Sequence, residues 1–247
     1  EKLEAEAVYN GCKKVGINEF YEGIIDSVEK KTRNEKAPLL YDLTELQKDA
    51  NKKFKFTADQ TLKTAQSLYE KHKIITYPRT SSRYLSMDIE PKLKQNVENL
   101  AKLPAFSQAA SEILENNWKI ASRMIDDKKV TDHHAIIPTE KMPNLSFLSE
   151  TEFLLFQLIM TRFLSAFFPD CIKHQTDILI LVNKAQFKAS GTMVKQLGWR
   201  SLYQESKDDL DGTKKESKAK MSSKTESKEA ELPYLEKGSP VITQKVT

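Results

Sequence analysis

Tyr77 stands two residues before Arg79 in the run Ile74-Ile75-Thr76-Tyr77-Pro78-Arg79-Thr80-Ser81-Ser82-Arg83-Tyr84. No acidic residue falls between Glu70 and Asp88, so Lys71, Lys73, Arg79 and Arg83 surround the tyrosine with uncompensated positive charge. A phenol at its ordinary pKa of about 10 is a poor nucleophile. A positive setting favours the phenolate and stabilises charge developing on a phosphate. That combination suits a tyrosine that attacks a nucleic-acid backbone. For an arbitrary Tyr-Pro-Arg the commoner reading is blander: a strand-edge tyrosine packed against a turn set by Pro78.

A second group of chemically capable residues is Asp132-His133-His134. One reading is a metal-dependent phosphoesterase, but a two-metal site needs further aspartates on strands, and none is suitably spaced. His133 could equally be a core histidine bonded to a backbone carbonyl. Asp132 is a helix-cap candidate or could orient a histidine.

Three stretches together carry a family resemblance. Thr76-Tyr77-Pro78-Arg79-Thr80-x-Ser82 resembles the active-site motif of type IA DNA topoisomerases, in the bacterial topoisomerase III branch. Val130-Thr131-Asp132-His133-His134-Ala135-Ile136-Ile137-Pro138-Thr139 resembles that family's histidine motif. Pro38-Leu39-Leu40-Tyr41-Asp42-Leu43-Thr44-x-Leu46-Gln47-x-Asp49-Ala50-Asn51 resembles the lead-in to its tyrosine domain. The three occur in the family's order, and the resemblance spans most of the chain.

The resemblance implies roles. Tyr77 would be the nucleophile, cutting one DNA strand through a transient 5′-phosphotyrosyl link that conserves bond energy, so that rejoining needs no ATP. Arg79 would contact the scissile phosphate bidentately; alternate residues of an extended segment share a face. His133 would contact a neighbouring phosphate, and Arg83 and Lys73 would add DNA-binding charge. Where the family usually has aspartate after Tyr-Pro-Arg-Thr, this chain has Ser81, a change expected to leave the Tyr77 chemistry intact. The family shares its active site with an N-terminal metal-binding (toprim) domain that holds magnesium, and nothing here looks like it. No metal or cofactor site is therefore expected in this chain, and the chain alone is expected not to relax DNA. The implied partners are single-stranded DNA segments and the toprim domain in cis, in a monomeric protein at the bacterial nucleoid in the cytoplasm. An alternative from another class is a non-catalytic clamp for single-stranded DNA, using basic residues near Tyr77 with Tyr84 and His133 for stacking or phosphate contact.

Composition sets weaker bounds. The 247 residues carry 39 Lys and Arg against 35 Asp and Glu, a formal charge of +4, so global charge does not announce a nucleic-acid binder. Cys12 and Cys171 have no metal spacing and suit a reducing compartment. The most apolar run, Phe153 to Phe168, is interrupted by Gln157, Arg162 and Ser165 and is too short and polar to span a membrane. The chain starts at a charged Glu1-Lys2-Leu3-Glu4 without methionine and reads as a piece of a longer protein.

The elements that must position Tyr77 follow from periodicity and caps. Residues 3–15 are weakly helical, Gly23–Val28 a strand, and Glu29–Lys36 a turn or linker. Thr44-x-x-Gln47, Thr57-x-x-Gln60 and Ser149-x-x-Glu152 fit the capping box. The first predicts a helix with Leu46, Ala50 and Phe54 on one face. The second predicts a helix with Leu62, Ala65, Leu68 and Tyr69 inward, and the third a buried helix over 150–167. Ile89–Leu100 and Gln108–Asn116 are further helices. Thr176–Val182 and Ala185–Thr192 are neighbouring strands, and Leu232–Val246 recovers strand character. Gln204–Glu229, with seven lysines against seven acids, reads as a mobile loop. The fold class is α+β: a helical domain over 40–145 carrying Tyr77, inserted into a β-rich arch domain split between 1–39 and 146–247. Such an insertion requires the two arch halves to pair.

Overall fold

The computed structural model describes residues 21–182, 185–203 and 236–243. The readings for 3–15, 204–229 and the ends of the 232–246 stretch lie outside them. Two compact units are present, one containing residues 21–35 and 171–197, the other residues 36–170 and 198–203.

The first unit is a four-stranded antiparallel sheet. Its strands are β1 (Tyr21–Glu35), β2 (Cys171–Val182), β3 (Ala185–Gln196) and β4 (Pro240–Thr243), in the order β3-β2-β1-β4. β1 pairs with β2 from Ile24↔Leu181 to Glu35↔Cys171, so stretches far apart in the sequence do pair. The register shifts between Ile25 and Ser27, a bulge at Asp26 that bends the strand. The expected turn at Glu29–Lys36 is a correction: β1 continues to Glu35. Charge patterning there does not break the strand, because β2 completes its backbone ladder and Lys173 Nζ reaches Glu35 at 2.9 Å.

The second unit is mainly helical. Its helices are α1 (Leu43–Phe54), α2 (Ala58–Ser67), α3 (Glu90–Ala101), α4 (Ser107–Glu115) and α5 (Glu150–Ser165). Thr57 caps α2 through the Gln60 amide at 3.1 Å. Ser149 and Glu152 form the full reciprocal box at α5. The cap of α1 is Asp42, which accepts from the Glu45 amide at 2.7 Å; the Thr44-based box is not the one used. The helix starts two residues earlier, where the aspartate satisfies the free Glu45 N–H and adds charge at the positive helix end.

Leu155, Phe156, Ile159, Met160 and Phe163 of α5 have no exposed surface. They pack into one core with Leu40 and Tyr41, with Leu46 of α1, Ala65 of α2 and Val97 of α3. For this reason α5 belongs to the helical unit, which runs to Asp170 rather than ending at 145. The arch stretch assigned to 146–247 thereby loses its first 25 residues. Residues 198–203 also return to this unit. Gly198 has φ +51°, and a Cβ there would lie 2.3 Å from the Pro169 carbonyl oxygen, so only glycine passes. The Trp199 amide then donates to that oxygen at 3.0 Å.

Candidate active site around Tyr77

The chain reaches Tyr77 through a device the sequence does not announce. After α2 the helix widens into a π turn over Leu68–His72. Lys73 then takes a left-handed conformation at φ 59°, and its amide donates to the Leu68 carbonyl. Ile74 and Ile75 turn inward, 3% and 0% exposed. The segment behind them pairs with the histidine motif: Ile75 bridges Pro138, and the Thr76 amide donates to Ile137 O at 2.9 Å. The Thr76 hydroxyl donates to Ala135 O and accepts from the Ile137 amide, both at 3.0 Å. Tyr77 emerges half-buried at the end of this clamp.

Beyond it, Pro78 is buried and the chain bends at Pro78-Arg79. Thr80 and Ser82, 6% and 4% exposed, turn their hydroxyls inward. Thr80 Oγ1 donates to His133 O at 2.8 Å and accepts from the Ser82 amide at 3.0 Å. Ser82 Oγ donates to Lys129 O at 2.9 Å. These short hydroxylated side chains hold the two motifs together, and one consequence is chemical. The His133 ring lies 4.4 Å from the Tyr77 ring, centroid to centroid, at 43°. On the same ring, Tyr69 makes an edge-on contact at 5.4 Å and 79°.

The candidate residues fall into two groups. Tyr77 and His133 are brought together. Arg79 is exposed and has no ion-pair partner among the described residues; because the backbone bends, strand alternation is not what aims it. Lys73 is exposed, with its carbonyl accepting from the Thr139 hydroxyl at 2.7 Å. Arg83 is half-buried and its Nε donates to Leu40 O at 3.3 Å, which gives it a structural tie to the lead-in segment. Ser81 and Asp132 are exposed. His134 is half-buried with Nδ1 2.8 Å from Ala135 O; a carbonyl only accepts, so Nδ1 carries the proton. Among the described residues no group of three or more His, Cys, Asp or Glu could hold a metal. Among the described residues, then, Asp132, His133 and His134 are not joined by a further acidic residue into such a cluster.

Two polar clusters that sequence reasoning missed brace this region. Glu152, beyond capping α5, accepts from Ser67 Oγ at 2.6 Å and lies 3.2 Å from His72 Nε2. Burial alone would raise its pKa, but the Ser67 hydroxyl, the Ser149 amide and hydroxyl, and His72 outweigh it and hold the carboxyl down at about 2. The π turn is thus fastened to the start of α5.

The other cluster explains the lead-in motif. Arg162 on α5 meets Asp49 Oδ2 at 2.5 Å, Tyr41 Oη at 3.1 Å, Leu39 O at 2.9 Å and Tyr203 Oη at 3.1 Å. Its guanidinium sits 4.2 Å over the Tyr41 ring. Burial opposes the Arg162 charge, but Tyr41, Tyr203 and Asp49 together raise its pKa. Burial likewise pushes the Tyr41 hydroxyl far above its ordinary range, against the pull of Arg162. A lone Arg162 in an apolar helix is the signal that could have found this cluster, since a buried charge needs partners.

A sheet assembled from distant stretches, with a helical unit inserted in the sequence between β1 and β2, has counterparts in fold. A model of the family described as DNA topoisomerase matches residues 1–245, and the chain belongs to this family. Within it the chain is topoisomerase III-like and of type IA. It is 39% identical over 224 residues to DNA topoisomerase 3 of Bacillus licheniformis, covering 91% of this chain and 29% of that protein. It is 37% identical over 226 residues to DNA topoisomerase 3 of Bacillus subtilis, covering 92% of this chain and 29% of that protein. The chain thus spans less than a third of the length of the curated relatives it matches. The structure of full-length topoisomerase I from Thermotoga maritima aligns with a TM-score of 0.61 and 19% identity, covering 97% of this chain and 35% of that one. That likeness concerns the fold. Among the described residues no helix is long and apolar enough to cross a membrane.

Proposed function

We propose that this chain is the tyrosine-bearing part of an ATP-independent type IA DNA topoisomerase acting on single-stranded DNA segments. The observation that carries the reading is the open pairing of Tyr77 with His133, beside an Arg79 that has no protein partner among the described residues. In the proposed reaction the Tyr77 oxygen attacks a backbone phosphorus and loses its proton. The bond from phosphorus to the 3′ oxygen breaks, and that oxygen takes up a proton to become a free hydroxyl. The 5′ phosphate is left on Tyr77, and the reverse attack by the 3′ hydroxyl rejoins the strand. Arg79 would neutralise the charge on the pentacovalent phosphate. His133, next to the nucleophile, would contact the adjoining phosphate, and Lys73 would add charge along the strand. Arg83, already donating to Leu40, would contribute through its remaining N–H groups.

Magnesium would be held outside this chain, by acidic residues of a toprim domain in the same protein. The chain by itself would therefore leave supercoiled DNA unrelaxed. We place the whole protein, as a monomer, at the bacterial nucleoid.

The test is covalent trapping. The full-length protein and its Tyr77→Phe variant are mixed with a single-stranded oligonucleotide labelled at its 3′ end, then denatured. Label moving with the unchanged protein and absent from Tyr77→Phe is the expected result. If neither protein traps label while both hold the oligonucleotide on a native gel, the reading fails and the chain is a clamp.

A further inference from the structure

The contact between Tyr69 and Tyr77 is not one that helix periodicity produces. In a regular continuation of α2, Leu62, Ala65, Leu68 and Tyr69 would share the inward face. Leu68 is fully buried, yet Tyr69 is 37% exposed and lies edge-on to Tyr77. Tyr69 is the second residue of the π turn over Leu68–His72, where the wider pitch departs from the 3.6-residue count. Such turns are rare and recur at functional sites.

This one is held from several directions. Lys73 and Ile74 both donate to the Leu68 carbonyl, Ile74 at 3.1 Å. His72 is fixed through its ring to Glu152 at 3.2 Å, and its carbonyl accepts from Lys141 Nζ at 2.8 Å. The Lys73 carbonyl accepts from Thr139. The strained segment is thereby tied to α5 and to the strand-like end of the histidine motif.

The product of these ties is a nucleophile whose ring contacts two others, Tyr69 at 5.4 Å and His133 at 4.4 Å. A half-exposed tyrosine otherwise chooses among staggered χ1 wells, and one well serves in-line attack. Resting on the strand-cutting reading above, we infer that Tyr69 is a positioning residue. Delivered by the π turn, its ring edge holds the Tyr77 ring against His133 in the orientation for attack. The role belongs to the ring, not to its hydroxyl, because the contact is edge-to-face between aromatic groups.

The full-length protein is compared with Tyr69→Leu and Tyr69→Phe by single-turnover formation of the covalent oligonucleotide adduct. Oligonucleotide Kd and thermal midpoint are measured alongside. Tyr69→Leu should form adduct about tenfold more slowly, with Kd and midpoint close to those of the unchanged protein. Tyr69→Phe should restore the rate to within about twofold, since it keeps the ring edge. An unchanged rate in Tyr69→Leu overturns the inference. So does a loss in Tyr69→Phe as deep as in Tyr69→Leu, which would assign the role to the hydroxyl. A rate loss matched by weaker binding and a lower midpoint would make Tyr69 merely structural. If the unchanged protein forms no adduct at all, the strand-cutting reading itself fails and this inference falls with it; in every other failure that reading stands.

Discussion

The helical unit contains two tyrosine–arginine pairs built to opposite ends. Tyr41 and Arg162 are buried, with the guanidinium over the ring and bonded to Asp49, Leu39, Tyr203 and the Tyr41 hydroxyl. Tyr77 and Arg79 stand at the surface; the ring touches Tyr69 and His133 and the guanidinium is left to solvent. The residue types are the same. What differs is whether the protein has already answered the charge. At Arg162 it has, and the pair can only hold the fold. At Arg79 it has not, and the unanswered charge is available to a phosphate.

Exchanging the expected losses between the two arginines is the strongest way to break that contrast. Arg79→Ala should lower the rate of covalent adduct formation by roughly a hundredfold or more, as for removal of a transition-state donor, with a thermal midpoint unchanged in a calorimetric scan. Arg162→Met should do the converse. It leaves Asp49 and two phenols without their cation and should cost about 3 kcal/mol in urea unfolding; the half-open side of Asp49 keeps the loss toward the lower end. Adduct formed by the fraction still folded should proceed near its normal rate. If Arg79→Ala unfolds the protein, or Arg162→Met is as stable as the unchanged chain, the two pairs are not different in kind.

Glu152 sharpens the same contrast, being a third charge answered internally. Its carboxyl is held down at about 2 in the folded protein, against an ordinary value of 4.5. A depressed acid stabilises the fold above its unfolded value and loses that contribution as pH falls through the folded one. The protein should therefore lose on the order of 2 kcal/mol between pH 4.5 and 2 through this group. Glu152→Gln should be weaker at neutral pH and flatter across that window in unfolding curves. The smallest effect is expected on the open surface. Ser81→Asp, which restores the residue usual in the family, should move stability by no more than about 0.5 kcal/mol and leave the cleavage rate within roughly threefold, measured by the same trapping reaction.

Much of this is legible in the chain. The caps at Thr57 and Ser149, the helices α3 to α5 to within a residue or two, and the β2–β3 pairing all follow from local pattern. Tyr77 and His133 each stand out from the motif that carries them, without any knowledge that their rings touch. The failures have physical causes. β1 runs through Glu29–Glu35 because a partner ladder outweighs a charged sequence. A boundary at 145 is misplaced because an apolar helix declares that it is buried but not against what. Tyr69 does not turn inward because periodicity assumes 3.6 residues per turn, and a π turn breaks that count.

The sequence by itself determined which residues could do chemistry and where helices begin, since motif order and capping are properties of neighbouring residues. Tertiary structure alone decided which arginine is spent inside the fold and which is left open. It also decided that Thr80 carries His133 to Tyr77 and that the Tyr69 ring reaches Tyr77 as well. Each of these rests on contacts between residues far apart in the chain, or on a single widened turn that only those contacts hold in place.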